Sequence, residues 1–283
     1  MSGDKWFIRQ MAFTKDRISA PYCWRPLVPT LARWFGFRPI TYLATVTTPL
    51  LIYFYAGAGW AGCAVALMFI GNKHLFSFHI RSPEYAEGVG QWLVIASLWS
   101  LSTGSVLIWP LLLLSALCRE TLIAMLATLV VLNGEPVLLL PILTGAIVAY
   151  TMRRETKDNK HPLVEKTAYG TVLRWAKEKQ GDVLDYAHTI QPLRGLVFAV
   201  PFVWGDVSSF ARVGLSGFVA IWLAAIPATG QCRIMSYGFV LLIPFAAALP
   251  GPWLWLFVIL AWFWPGEWQK FSEAGDVKFG FIR

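Results

Sequence analysis

Charged side chains that interrupt long apolar runs are the positions at which this sequence could carry out chemistry. Between Arg38 and Thr151 the chain has few charged residues, which are Lys73, Arg81, Glu84, Glu87, Arg119, Glu120 and Glu135. A charge at the centre of an apolar helix costs about 2.5–3.5 kcal/mol on insertion scales, so it needs a partner or a function. The pair Arg119-Glu120 stands out because apolar runs flank it on both sides.

Two interpretations of Arg119-Glu120 follow from residue type alone. The pair could be an ion pair, or a helix end at an interface. Alternatively it faces a polar cavity, where Arg119 holds a phosphate oxygen bidentately and Glu120 orients the guanidinium. Arg233, which opens a later apolar run, has the same two readings: it reaches an anionic headgroup, or it extends along the helix to the surface.

Familiar catalytic motifs of soluble proteins are missing from the sequence. It has no Gly-rich phosphate loop, nucleophile elbow or zinc-ligand motif, and its four cysteines are far apart without a CxxC pair. We therefore predict no metal site built from such a motif. Glu84, in a turn before the next apolar run, is placed to stabilise the N-terminus of the helix that follows. These features favour reactions on lipid-linked substrates at a membrane surface.

The elements that position these residues are predicted from composition. Hydrophobic residues make up 57% of the 283 residues and charged residues 14%, whereas a soluble chain carries roughly 25% charged residues. Solid apolar runs favour helices over the alternating strands of a barrel. We predict an all-α, polytopic integral membrane protein with about eight to ten short transmembrane or re-entrant helices.

Basic residues divide the chain into four parts. Seven Lys and Arg lie in residues 1–38, an interfacial basic and aromatic N-terminal segment, and eight lie in residues 151–192, an amphipathic surface segment with Val164, Ala168 and Val172 on one face. Residues 39–150 form a first transmembrane bundle with breaks at Gly104 and Pro110 and a polar loop at 72–88. Residues 193–283 form a second bundle with a short polar tail. The net charge of +8 indicates contact with anionic membrane lipid, not nucleic acid.

Three stretches, in order along the chain, resemble one family. Residues 21–33 (PYCWRPLVPTLAR) are similar to the aromatic-Arg-x-Leu-x-Pro-x-Leu-Ala stretch in the first large loop of bacterial glycosyltransferases of the GT-C superfamily. Residues 82–85 (SPEY) and 117–121 (LCRET) resemble the Arg-Glu-Thr region of those proteins, and residues 231–233 (QCR) with the span to Pro250 resemble their late Arg-led helix. The order and spacing agree over most of residues 1–250.

The resemblance implies transfer of a sugar from a polyprenyl-phosphate donor to an acceptor at the outer face of the membrane. Carried over, the acidic residue that acts as base or metal-assisted activator would be Asp4, with Glu84 as a second acidic residue, and Arg25, Arg119 and Arg233 would hold the donor phosphate. A divalent cation is the only cofactor that the resemblance suggests. It also implies a trimmed version of the family, without the usual first transmembrane helix.

Other functions stay open at this stage. A non-catalytic membrane scaffold, a lipid-binding protein or a subunit of a larger membrane assembly would also use the 15 tryptophans and the amphipathic segments, with protein partners in the membrane. A small transporter or flippase is a further alternative, although such proteins tend to have broken helices in matching halves. The predicted location is a bacterial inner membrane, or the membrane of a bacterial host.

Overall fold

The computed structural model describes residues 26–81, 83, 85, 87–151, 193–225, 234–263, 272–273 and 277–278. Its first elements are α1 (Leu27–Phe35), α2 (Phe37–Tyr55), α3 (Gly59–Gly71), a π-helix (Lys73–Ser77) and α4 (Phe78–Arg81). Gly36, with a φ of 78°, allows the sharp turn between α1 and α2. α2 already includes Phe37 and Arg38, so the helix begins two residues before the position at which the first bundle was predicted to start.

The middle of the chain is four helices and a short 3-10 turn. They are α5 (Glu87–Ser102), α6 (Ile108–Cys118), α7 (Glu120–Leu132), the 3-10 turn (Pro136–Leu138) and α8 (Leu139–Thr151). The predicted break at Gly104 is present, and its φ of 65° suits glycine. The predicted break at Pro110 is wrong: Pro110 is the third residue of α6, where a backbone N–H would have no partner within the helix.

The last described part of the chain is again helical. It has a 3-10 helix (Leu196–Val203), α9 (Ser209–Gly214), α10 (Ser216–Ala225), α11 (Gly238–Ala247), α12 (Gly251–Phe263) and a two-stranded antiparallel hairpin, β1 (Ser272–Glu273) with β2 (Val277–Lys278). Apart from that hairpin, the regular elements described are helices, and the all-α prediction is confirmed. Most of the predicted N-terminal segment and the whole predicted surface helix around Val164, Ala168 and Val172 lie outside the described residues.

The predicted polar loop at 72–88 is largely helical. The π-helix and α4 occupy residues 73–81, and α5 begins at Glu87. Leu75 and His79 are buried there, so packing of these side chains overrides the polar composition of the segment. The segment therefore belongs to the core and brings His79 beneath the start of α5.

Two helices, α5 and α11, form the centre of the bundle. Nearly every residue from Glu87 to Leu98 is buried, as are most residues of α11. α5 packs against α2 and α6, while α11 packs against α3, α10 and the 3-10 helix Leu196–Val203. Polar side chains of α5 are consequently held inside the bundle and away from its outer surface.

Three of the described helices carry large apolar side chains on their exposed faces. On α2 the outward stripe is Leu43, Val46, Leu50 and Phe54, whereas the inward face carries Thr41, Thr45 and Thr48. Similar outward stripes of large apolar residues run along α8 and α12, formed by Leu140, Leu143, Ile147, Trp253, Ile259 and Phe263. The polarity of α2 is thus reversed from that of an ordinary amphipathic helix.

Among the described residues, no single helix is both long and apolar enough to cross a membrane. One bent pair, Gly59–Gly71 with Leu75–Arg81 at 50° to each other, meets the length and composition limits together.

Candidate functional site

An ion pair between Glu87 and Arg119 lies in the interior of the bundle. Arg119 donates from Nη1 to Oε1 of Glu87. Only 1% of Glu87 and 3% of Arg119 is exposed. Two charges withdrawn from water to this extent hold one another in place, since removing either would leave the other buried and uncompensated.

Local structure places both charges at helix ends. Arg119 is in an extended conformation, with φ −162° and ψ 139°, so it ends α6 and immediately precedes α7. Glu87 is the first residue of α5. A carboxylate at a helix N-terminus interacts favourably with the helix dipole, which adds to the attraction of the guanidinium.

Two residues before α11 complete the surroundings of the pair. The guanidinium carbon of Arg119 lies 5.8 Å from the centre of the Tyr237 ring, within the range of a cation–π interaction. Gln91, one turn after Glu87, donates from Nε2 to Oγ of Ser236 at 2.9 Å. We call His79, Glu87, Gln91, Arg119, Ser236 and Tyr237 the Glu87–Arg119 cluster.

Two glycines allow the helices to approach this closely. A Cβ at Gly90 would lie 2.4 Å from the hydroxyl of Tyr237, and one at Gly88 would lie 2.9 Å from Oγ1 of Thr45. Gly88 is also next to His79, whose Cβ would be 3.3 Å away. The first turn of α5 therefore accepts neighbours on several sides because it has no side chain at these two positions.

Several polar atoms in and beside the cluster have no hydrogen-bond partner among the described residues. They are Oγ1 of Thr45, both ring nitrogens of His79, Oε1 of Gln91 and Nε of Arg119. Buried polar groups in native proteins are normally paired with protein or ordered water. Both donors and acceptors are thus available here to a polar ligand or to water.

The two neighbours Arg119 and Glu120 have different surroundings. Arg119 faces the interior, and the carboxylate that hydrogen-bonds it is that of Glu87. Glu120 is half-buried in the first turn of α7 and adds to the negative charge around Arg119.

The other predicted site residues, Asp4, Arg25, Glu84 and Arg233, lie outside the described residues, so their proposed roles stay predictions. Pro83, the residue before Glu84, is described: its carbonyl accepts a hydrogen bond from the Thr41 hydroxyl at 2.7 Å. No group of three His, Cys, Asp or Glu side chains in the described part of the chain is arranged to hold a metal ion.

Sequence reasoning did not single out Glu87, Gln91, Ser236 or Tyr237. The signal for Glu87 was present, since it is a charge at the beginning of a long apolar helix. Gln91 follows it by one helical turn and so shares its face. Tyr237 gave no signal, because only the fold brings it to Arg119.

No protein-family model matches this chain, and neither a curated protein sequence nor a solved structure matches it. The chemical capacity of the site therefore has to be judged from its residues. The Glu87–Arg119 cluster combines a cation suited to phosphate, a carboxylate and neutral hydrogen-bonding groups in a buried position.

Proposed function

We propose that the chain is a membrane-embedded, GT-C-like glycosyltransferase that transfers a sugar from a polyprenyl-phosphate donor. One observation carries the proposal: Arg119, from the stretch 117–121, lies against Tyr237 of the late stretch and pairs with Glu87, which follows the stretch 82–85 by two residues. Each stretch is short and composed of common residues. Their convergence in space is support that their separate resemblance does not provide.

The convergence involves three parts of the chain. Glu87 follows the stretch 82–85, and it pairs with Arg119 of the stretch 117–121. Tyr237, in the late stretch that runs from 231 to Pro250, places its ring against Arg119. The two hydrogen-bonding residues beside them, Gln91 and Ser236, link the same elements a second time.

The described part of the first stretch also packs into the bundle, through α1. Pro26, Val28 and Ala32 are buried, so the inner face of α1 packs into the bundle. α1 contacts α2 and α6, and α6 ends at the residue before Arg119.

The reversed polarity of α2 supports placement in a membrane. Leu43 and Leu50 are more than half exposed, whereas Thr41, Thr45 and Thr48 are fully buried. A monomeric soluble protein rarely exposes contiguous apolar surface beyond a few hundred Å². Lipid covers such stripes without the penalty that water would impose, and polar side chains then turn to the interior.

The proposed reaction assigns a role to each group. The bond between the anomeric carbon and the phosphate oxygen breaks, and an acceptor hydroxyl forms the new bond to that carbon. The acceptor proton passes to a carboxylate, for which Asp4 and Glu84 are the candidates. The leaving phosphate keeps the bonding electrons, and Arg119 with Arg25 and Arg233 stabilises its charge.

A second candidate function rests on the same ion pair. Glu87 already offsets the charge of Arg119, as in a purely structural pair. A non-catalytic membrane scaffold or lipid-binding protein would use this pair only to hold α5 to the α6–α7 junction. Activity distinguishes the two functions, because a scaffold has none.

Membranes from cells that express the full chain, supplied with polyprenyl-phosphate hexoses bearing a radiolabelled sugar, test the proposal. We expect label to leave the polyprenyl fraction faster than in membranes without the protein. Arg119→Gln should lower the rate at least about tenfold, as expected for the loss of a charge-assisted contact, and Glu135→Gln, an exposed change in a turn, should not. Absence of transfer from every hexose donor tried would favour the scaffold. Transfer that survives both Asp4→Ala and Glu84→Ala would remove these two acids from the mechanism.

A further inference from the structure

Arg194 is a buried arginine whose side chain has no partner among the described residues. Only 1% of it is exposed. None of its three guanidinium nitrogens has a hydrogen-bond acceptor in the described part of the chain. A buried guanidinium without an acceptor is unfavourable, because it has lost its hydrogen bonds to water and makes none with the protein.

The backbone at this position is also unusual. Arg194 has a φ of 52° and Gly195 a φ of 74°, so two successive residues are in the left-handed region. That region suits glycine but is uncommon for a residue with a long side chain. Conformations of this kind persist where the surrounding structure requires them, and they concentrate at ligand-binding and active sites.

The residues on either side of Arg194 in the chain pack against apolar groups. Leu193 is fully buried, and its Cδ2 lies 3.3 Å from where a Cβ of Gly238 would be. The rings of Phe198 and Phe257 lie 3.8 Å from the equivalent position at Gly195. Gly238 directly follows Tyr237, so the residue before Arg194 packs beside the element that carries part of the Glu87–Arg119 cluster.

We infer that Arg194 binds a phosphate group, in a site separate from the Glu87–Arg119 pair. The planar guanidinium presents five N–H donors in a fork that matches two phosphate oxygens. Charge-assisted bonds of this kind would offset the burial of the cation. In a membrane, phosphate comes either from a phospholipid headgroup or from a polyprenyl phosphate. The inference relies on the membrane placement proposed above but not on transferase activity.

Thermal unfolding of the purified full chain in dodecyl maltoside, a detergent without phosphate, tests this site. Phosphatidylglycerol and polyprenyl phosphate are titrated separately, with diacylglycerol as the phosphate-free control. We expect at least one phosphate lipid to raise the melting temperature, with an affinity at least about tenfold weaker in Arg194→Gln. Without lipid, Arg194→Gln should be no less stable than the parent, since it removes an uncompensated charge. Arg38→Gln, on the exposed surface of α2, should behave like the parent.

The two titrations also identify the source of the phosphate. A response to phosphatidylglycerol alone assigns the site to membrane lipid, a response to polyprenyl phosphate alone assigns it to the donor class, and a response to both assigns it to the phosphate itself. Equal responses of the parent and Arg194→Gln, or no response to either lipid, would overturn the inference. If Arg194→Gln fails to fold in detergent while Arg194→Lys folds, the charge has a partner in the protein and the inference is also wrong. Because no transfer is measured, these outcomes are independent of the glycosyltransferase proposal.

Discussion

The chemistry of the buried interior depends on how its charges are compensated. Glu87 meets the positive end of α5 and the guanidinium of Arg119. Arg119 meets in addition the face of the Tyr237 ring. Each charge therefore has two sources of stabilisation, and each would be costly if its partner were removed.

Removing one charge of this pair should destabilise the protein more than removing both. We expect Glu87→Gln and Arg119→Gln each to lower the free energy of unfolding by about 3–5 kcal/mol, since each leaves a buried charge alone. The double variant should recover part of that loss, which gives a coupling energy in a double-mutant cycle. Denaturant titration in detergent micelles measures the free energy of unfolding of the parent, the two single variants and the double variant.

Glu135→Gln is the matched control for that cycle, because Glu135 is an exposed carboxylate in the turn after α7. It should change stability by less than about 0.5 kcal/mol. Additive effects of the two single changes would contradict the pairing of Glu87 with Arg119.

At the scale of single residues, sequence reasoning identified one half of the site. Arg119 was recognisable because a cation between apolar runs requires an explanation. Its partner was not, since Glu120 is adjacent in sequence whereas Glu87 is 32 residues away. Arg194 gave no sequence signal: an arginine at the end of a basic segment reads as an exposed residue until its burial is seen.

At the scale of elements, the close contact of α5 with the start of α11 determines the geometry of the site. Tyr237 is fully buried, so its ring has little room to move aside. Gly90 is the position on α5 that makes room for its hydroxyl. α5 can therefore approach Tyr237 this closely only because residue 90 is glycine.

Gly90→Ala should disturb the site without changing its charges. The added methyl group would lie 2.4 Å from the Tyr237 hydroxyl, and we expect a loss of about 1–3 kcal/mol from overpacking. Because the Tyr237 ring has little room to move, we expect α5 to shift instead and to displace Glu87 from Arg119, so glycosyl transfer should fall together with stability. Thermal unfolding and the transfer assay measure the two effects.

Gly251→Ala is the control for this substitution. Gly251 begins α12 and has open space where its Cβ would be, so alanine there should be neutral or slightly stabilising. If Gly90→Ala were equally harmless, the contact between α5 and Tyr237 would be looser than the structure indicates.

Most helices could be predicted from apolar runs, but their boundaries and partners could not. Pro110 illustrates the first limit: a proline within an apolar run reads as a break, although the first turn of a helix tolerates it. The segment with Leu75 and His79 illustrates the second, because its helical form follows from burial against other elements. The contact between distant elements, such as α5 and α11, could not be predicted because the periodicity of apolar residues reports only on the local element.

At the scale of the whole molecule, the exposed apolar stripes lie on helices that pack next to one another. Trp60, Cys63 and Leu67 lie on one exposed face of α3. The exposed faces of α2 and α12, which both pack against α3, are also apolar. In water such a surface would promote association, whereas in a membrane it would be covered by lipid.

Cys63 provides a direct test of this placement. A charged maleimide that does not enter lipid reacts with thiolates, which form only where water is present. In a chain with Cys63 as the single cysteine, made by Cys23→Ser, Cys118→Ala and Cys232→Ser, we expect no labelling in intact membranes from either side. Labelling should appear once detergent and denaturant expose the helix.

A second single-cysteine chain calibrates the reagent. Glu135→Cys, with Cys63→Ala added to the same background, places a thiol in the exposed turn between α7 and the following 3-10 turn. Water should reach this turn from one side of the membrane, so it should react there without detergent. Labelling of Cys63 at the same rate as this turn would show that the stripe on α3 faces water, and the membrane placement on which the transferase proposal depends would then be wrong. We expect Cys63 to be protected in intact membranes while residue 135 is labelled. The reason is that α2 and α3 pack together and both expose apolar faces.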